Sequence, residues 1–581
     1  MKERYPNLDI YADIKTIWQA IPDDARVAIY GAGSHTKKLL EVIDLSEKKV
    51  VCVVDKLVPN GSFVGYPLIK QHEMQDFGVD TVFLSSLGFK EEIKDEIRDT
   101  IGTGTIVDMY DELGKKGYAF TEPFYSQKNY ETYLRLYAIK EMYGETNDYR
   151  LLSTLIYFYL EMHDFPNAFR FMDAYIQKAY PDAEKYLCLK EAFENLFNEV
   201  STELQKKNKN SVLVFLFDAL RYRDVTSSRM PYLSALRDRQ GIACTRAYCH
   251  APYTHMSMAS IFKQEKLLDD KLYLTSQVDE VPFFEELAKH KGVFHYYGPE
   301  TQFFNKEHLG PPSNETAPDY FWNYLCQRLT RGDEVDLSFL HCEETHAPFM
   351  CGEHTVYPKL YDVYCRELTE DPLHQFTQYE DTLHYLDDQL AFWFPLVSKT
   401  TDVMLFSDHG YIFDYDVQAA RMHYFIEDTA HIPYYLFRKE GKASTIDRMI
   451  SHLDTLDIMM NLVQGKDDPF FGLPLRDRVE IDRDFTYSLR DLGLMDEIGR
   501  MYLGAAFKCW VFEDYMKYIR YYNGEEELYC LPDEKVNLIA DPHYAARLEE
   551  IRASVDVSFP AWSEPRWAYA REKFNVETVG A

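Results

Sequence analysis

The sequence predicts an α/β protein with mostly parallel sheets. Three observations carry that prediction. Residues from about 24 to 112 alternate short apolar runs with helix-like segments. From about 123 to 206 the apolar residues recur every three or four positions, as on a helix face. From Val212 onward apolar runs again alternate with helical patterns, and several end abruptly in acids or histidines. At 581 residues the chain calls for two to four domains. The boundaries read at 1–115 for a small α/β domain, 116–208 for a helical connector and 209–581 for a larger α/β domain.

In the first domain, Arg26–Tyr30 reads as a strand followed by a glycine turn and a helix. Lys48–Asp55 is a second strand, Asp80–Ser86 a third, and the segment from Gly104 a fourth. Gly31-Ala-Gly33-Ser-His-Thr36 stands where a dinucleotide-binding turn places its glycines, and Asp55 follows 22 residues after Gly33. Thr36 replaces the third glycine. This segment resembles the Rossmann-like domains of nucleotide-sugar-modifying and sugar acyl-transferring bacterial enzymes. The resemblance implies a nucleotide or nucleotide-sugar at Gly31, Gly33 and Asp55, with a scaffold turn that holds nothing as the alternative.

In the connector, the stretch around His163-Asp-Phe-Pro-Asn-Ala-Phe169 looks like one helix pair of a TPR-like repeat, without a second copy. Its aromatic stripe is read as core. A polar segment at about 203–211 then leads into the third domain.

Composition narrows the function. Charged residues at 27% and hydrophobic ones at 46% fit an ordinary globular protein. Lys and Arg number 63 against 95 Asp and Glu, a net charge of −32 that argues against nucleic acid and anionic membranes as partners. No apolar run is long enough to span a bilayer, and the first residues carry no secretory leader. The ten cysteines are scattered without CxxC pairs, so reduced thiols and a cytoplasmic location are expected.

The chemistry gathers at strand ends. Val212–Phe217 ends in Asp218, and Val403–Phe406 runs into Ser407-Asp-His-Gly410. Taken singly, Asp218 could cap a helix and Asp408 could close a turn. The recurrence of a ligand-type residue at the end of an apolar strand points to a site on one sheet edge. Two carboxylates and an imidazole suit Zn²⁺ or Mn²⁺. A third apolar strand ends with His341 and leads to His346, and a fourth, Ile432–Phe437, is opened by His431.

On these strand ends and the segments between them, residues from about 211 to 552 resemble the sulfatase branch of the alkaline phosphatase superfamily. The strand ending in Asp218 is followed by Met230-Pro-Tyr-Leu233, as in that branch. Ala251-Pro-Tyr-Thr-His-Met-Ser-Met-Ala-Ser-Ile-Phe262 resembles its nucleophile helix. Leu340–Phe349 is similar to its strand ending in His-x-Pro-Tyr, and Tyr379–Phe394 to the helix before its second metal strand. The run from Lys517 to Pro542 resembles the sulfatases' C-terminal segment, within a sulfatase-type subdomain at about 505–581. The resemblance implies an alkaline-phosphatase/sulfatase-like α/β/α sandwich. It implies a metal site of Asp218, Thr254, Asp408 and His409, with Thr254 as nucleophile. His346 and His423 are the candidates to bind phosphoryl oxygens or protonate the leaving group. His431 is open between a site residue and a strand start, and one ion is expected with a second left open. His250, His255 and His341 are read as structural or peripheral.

The departures from the family pattern select the reaction. Sulfatases carry Cys-x-Pro-x-Arg, whose Cys or Ser is oxidised to formylglycine. Here Thr254 and Met258 stand in the matching places, and Ala219 replaces a second acid. A threonine nucleophile resembles instead the phosphodiesterases and the phosphoethanolamine or phosphoglycerol transferases of the superfamily. The expected function is a metal-dependent phosphoric-ester hydrolase acting through phosphothreonine on a small-molecule or glycan-linked phosphate ester. The alternatives are a phosphoryl-group transferase in cell-surface glycan metabolism, a sulfatase, or an inactive sulfatase-fold binding protein.

Overall fold

Apolar runs closed by turns build two units, Met1–Thr132 with Tyr357–Tyr361, and Tyr133–Val356 with Asp362–Ala581. The computed structural model describes residues 10–116, 127–264, 282–311, 316–353, 374–483 and 507–559, apart from 41, 57–59, 87–89, 208–209, 333, 347–348, 412, 414–424, 440 and 522–523.

In the first unit, β1 (Arg26–Tyr30), β2 (Lys49–Val54), β3 (Gly61–Phe63), β4 (Tyr66–Ile69), β5 (Thr81–Leu84) and β6 (Thr105–Asp108) form one sheet in the order β3-β4-β2-β1-β5-β6. Every pairing is parallel except β3 with β4. The four strands read from the sequence are β1, β2, β5 and β6. The β3–β4 hairpin was not anticipated, because its three- and four-residue strands are too short to show a period. Strand order reverses at β1, and the Gly31 turn lies at its carboxyl end.

The second unit is built around β7 (Val212–Phe217), every residue of which is fully buried. With β8 (Gly241–Tyr248), β9 (Gly292–Tyr297), β10 (Val335–Cys342), β11 (Asp402–Phe406), β12 (Tyr434–Phe437) and β13 (Ser444–Ser451) it forms a sheet ordered β13-β8-β12-β11-β7-β10-β9. The strands are parallel throughout except β12, which runs against both its neighbours. The period of two sends alternate β7 side chains to opposite faces. Val212, Val214 and Leu216 share a core with the helices Thr254–Lys263 and Thr455–Val463. From the other face Phe215 meets Phe321 of the helix Ala317–Thr330, at 4.8 Å between ring centroids, and Phe321 stacks on Trp393 of the helix His374–Val397. Helices thus cover both faces, and the result is an α/β/α sandwich.

A second, antiparallel sheet follows in the order of β14 (Arg478–Arg483), β15 (Phe507–Phe512), β16 (Met516–Tyr521) and β17 (Glu526–Cys530). Its first strand comes from residues before 505. Inner residues of this sheet, among them Ile481, Cys509 and Ile519, join the core of the seven-stranded sheet.

The helices Tyr149–Glu161, Phe165–Gln177 and Ala183–Leu204 belong to the same unit as the sandwich. Asp164 explains why. It caps the helix Phe165–Gln177, is fully buried, and accepts from Asn167, from the Tyr385 hydroxyl at 2.9 Å and from the Gln389 amide at 2.7 Å. Beside it Phe165 packs against Phe193, Phe197, Trp322, Phe392 and Trp393. Tyr133 donates to buried Glu344, which also accepts the Ala317 N–H. Among the described residues the cysteines are free thiols, and no helix is long and apolar enough to cross a membrane.

Two outcomes follow, one from Asp164 and one from Glu427, the first residue of the helix Glu427–Ala430. Asp164→Ala strands the donors of Tyr385 and Gln389, and urea denaturation should show a loss of about 3 kcal/mol. Burial and the charge of Glu534 push Glu427 from its ordinary 4.5 up to about 8. The folded chain then holds a proton that the unfolded chain releases at lower pH. Its stabilisation is complete below the unfolded pKa and disappears as pH rises through about 8. Glu427→Gln should flatten that fall in melting temperature across the same window.

Candidate active site

Three neighbouring parallel strands place their carboxyl ends side by side. In register, β10 pairs His341 with Leu216 of β7, and β11 pairs Phe406 with the same Leu216. Asp218 follows β7 directly, and its N–H bonds to the Cys342 carbonyl at 3.0 Å. Asp408 and His409 follow β11 after one further residue, Ser407. Asp218, Asp408 and His409 are all buried, and a ligand atom of each lies within 4.8 Å of the others.

The turns that hold these residues are tightly specified. Ala219 adopts φ 60°, an uncommon conformation for a residue with a side chain, and this aims its N–H at Asp408 Oδ1, 3.0 Å away. The Leu220 N–H donates to Ser407 Oγ at 2.9 Å, which ties the two strand ends together again. Gly410 is fixed by contact: a Cβ there would stand 1.7 Å from the Asp428 carbonyl oxygen, so no side chain fits. Fully buried Arg221 pairs with Asp224 at 2.5 Å, reaches Asp428 at 3.7 Å and lies 4.6 Å from the centre of the Phe413 ring.

Thr254 is the first residue of its helix. Its Oγ1 lies 3.4 Å from both oxygens of Asp218 and 3.2 Å from His409 Nε2. One turn on, the Ser257 hydroxyl reaches the Asp408 carbonyl oxygen at 2.8 Å and fastens the helix to the strand-end turn. His409 Nδ1 is 2.6 Å from the Gly410 carbonyl oxygen, which can only accept. The ring proton therefore sits on Nδ1, and the Nε2 lone pair faces Asp218, Asp408 and Thr254.

The electrostatics favour a cation. Burial pushes the Asp218 carboxyl up, but the imidazoles of His346, His341 and His409 hold it well below the usual range. Asp408 is displaced upward by burial and by the charge of Asp218. Asp408 Oδ2 is buried without a hydrogen-bond partner. Two facing carboxylates, one of them with an orphaned oxygen, and one imidazole lone pair fit a divalent cation.

The other residues singled out by sequence divide clearly. His346 comes to the site, with its ring centroid 6.4 Å from that of His409. His423 lies outside the described residues. His431 is a strand-start residue: its Nε2 is 2.9 Å from the Thr245 carbonyl oxygen, its ring stacks on Tyr222, and burial lowers its pKa to about 4. Buried His250 bonds through Nδ1 to the Glu480 carbonyl oxygen at 2.7 Å. His255 pairs with Glu300 at 3.2 Å. His341, read from sequence as structural or peripheral, stands at the site itself, with Nε2 3.2 Å from Asp218 Oδ2. Its position at the end of β10 repeats the signal that marked Asp218 and Asp408, a polar ligand type closing a buried strand.

In the N-terminal unit the glycine turn has its own geometry. Gly31 takes φ 107°, a conformation open to glycine. Asp55 Oδ2 accepts the Ala32 N–H at 2.8 Å, and the Thr36 hydroxyl donates to the Gly31 carbonyl at 2.9 Å. Gly31, Thr36 and Asp55 are thus brought together, with the Asp55 carboxylate bonded to the turn, while Gly33 is exposed at the start of a six-residue helix.

The family described as C2185-like, N-terminal, matches residues 23–105. No curated protein matches in sequence. Among solved structures, a 2-O GAG sulfatase is similar at 15% identity and TM-score 0.44, over 62% of this chain and 96% of its own. A phosphonate monoester hydrolase from Silicibacter pomeroyi is similar at 12% identity and TM-score 0.42, over 62% and 95%. A protein in the alkaline phosphatase superfamily from Vibrio parahaemolyticus is similar at 13% identity and TM-score 0.38, over 58% and 87%. The chain's structural neighbours are sulfatases, phosphonate monoester hydrolases and members of the alkaline phosphatase superfamily.

Proposed function

We propose that this chain is a divalent-metal-dependent phosphoric-ester hydrolase of the sulfatase-like branch, with Thr254 as its nucleophile. The observation that carries the reading is the convergence of Thr254 Oγ1 with Asp218 and His409, beside the orphaned Asp408 Oδ2. Asp218, Asp408 and His409 would hold the cation, with Thr254 beside it. A bound divalent ion supplies positive charge that eases loss of the hydroxyl proton and offsets charge on phosphoryl oxygens.

The chain's own groups then account for the rest. The Asp218 carboxylate lies within reach of Thr254 Oγ1 to take its proton, and the Oγ1 lone pair attacks phosphorus. The ester P–O bond breaks as the Thr254 O–P bond forms, leaving a phosphothreonine that water hydrolyses. The helix holding Thr254 is pinned through Ser257, so the hydroxyl keeps its aim. His346, beside His409 and partly exposed, is placed to bind a phosphoryl oxygen or to protonate the departing alcohol. A threonine in place of cysteine or serine supports phosphoryl over sulfuryl chemistry, because formylglycine maturation starts from Cys or Ser.

Metal analysis of purified protein should find stoichiometric Zn or Mn, and nitrophenyl phosphate mono- or diesters should release nitrophenol with it. Thr254→Ala should cut turnover at least about a thousandfold with the fold intact, whereas Asp408→Asn should lose the metal as well. Full activity in Thr254→Ala would falsify the nucleophile assignment. Free phosphate formed without an added alcohol separates hydrolysis from transfer, and an aldehyde at position 254 in mass spectra would indicate a sulfatase.

A further inference from the structure

A second buried polar chain reaches the site from β9 and β10. The Glu300 N–H donates to the Tyr296 phenol oxygen at 3.1 Å. Tyr296 Oη lies 2.8 Å from His341 Nδ1, and His341 Nε2 lies 3.2 Å from Asp218 Oδ2. Tyr296 and His341 are almost wholly buried. An ionised carboxylate only accepts, so His341 must carry its proton on Nε2. The Tyr296 phenol oxygen, which accepts the Glu300 N–H, meets the ring at its other nitrogen, Nδ1. The bonds thus run without a break from the Glu300 backbone through Tyr296 and His341 to the Asp218 carboxylate.

Packing enforces the same arrangement. Gly298 lies over this pair, and a Cβ there would stand 2.6 Å from both His341 Cβ and Tyr296 Oη. The backbone therefore comes down directly on the two side chains, and they have no room to leave the chain of bonds. Tyr296 is also wedged between aromatic rings, 4.6 Å from the centroid of Phe304 and 5.9 Å from that of Phe339.

We infer that His341, seated by Tyr296, is a positioning residue that binds one oxygen of Asp218 and so fixes the orientation of the carboxylate toward the cation site and Thr254. This rests on the metal-dependent reading of the site, and it makes His341 a supporting partner rather than a ligand. It fits the exclusion of His341 from the group whose ligand atoms lie within 4.8 Å of one another. With Oδ2 held, Asp218 Oδ1 keeps its place 3.4 Å from Thr254 Oγ1 and 3.7 Å from His409 Nε2. Released, the carboxylate would rotate about its last bond, and both metal and nucleophile would lose alignment.

The test measures Zn²⁺ and Mn²⁺ dissociation constants of full-length protein by competition with a chromophoric chelator, with thermal unfolding of the metal-free protein as a control. His341→Leu should weaken metal binding by about 10- to 100-fold. His341→Gln offers an N–H near the Nε2 position and should recover part of the loss. Tyr296→Phe keeps the ring, removes the phenol link, and should weaken binding by a smaller factor; it carries the test if His341→Leu does not fold. Excess metal should restore turnover in His341→Gln and not in Thr254→Ala. Parent-like metal affinity in folded Tyr296→Phe and His341→Gln overturns the positioning role while Asp408→Asn still loses metal. A parent protein that binds neither ion overturns the metal-dependent reading together with it.

Discussion

Two buried carboxylates facing each other are the constraint around which this structure is arranged. Asp218 and Asp408 sit at the tips of adjacent strands, where burial and like charge both work against ionising the pair. Their separation is set by the β7–β11 ladder and by the Ala219 N–H, which comes from one strand end and binds the carboxylate of the other. The strained φ of Ala219 and the contact at Gly410 are the local costs of keeping that juxtaposition. They persist because the surrounding core leaves no alternative.

The same logic orders the groups around the pair. His409 offers a lone pair because Gly410 takes its other ring proton. Thr254 is aimed by a helix whose second turn is bound to the Asp408 carbonyl. Histidines surround Asp218 from β10, from the following loop and from β11, and together they keep it ionised against the cost of burial. The site is therefore a balance of charges supplied by side chains that arrive from separate strands, and the sheet alone brings them into register.

Much of this was legible in the chain. The strands ending in Asp218 and in Asp408-His409 announced themselves because a fully buried run has no reason to stop in an acid unless something meets it there. Thr254 was legible only through motif order, since a threonine at a helix start is ordinary. His341 was not distinguished, because a lone histidine in an apolar strand normally satisfies a core hydrogen bond, and its bond to Asp218 spans 123 residues. The reversed direction of β12 was equally hidden: a four-residue strand buried on both faces reads the same either way. Bonds such as Tyr385 to Asp164, 221 residues apart, leave no local pattern at all.

That last bond gives the helical segment a meaning the domain boundaries did not suggest. Phe165 and Phe197 close over Trp393 and Phe392, and the Asp164 carboxylate completes the seam by occupying the donors of Tyr385 and Gln389. A chain started at residue 209 would present that aromatic groove to water, together with two amide and phenol groups tuned for an absent acid. The three helices thus close the sandwich's own interior, and a shortened chain would meet its first difficulty in staying dispersed.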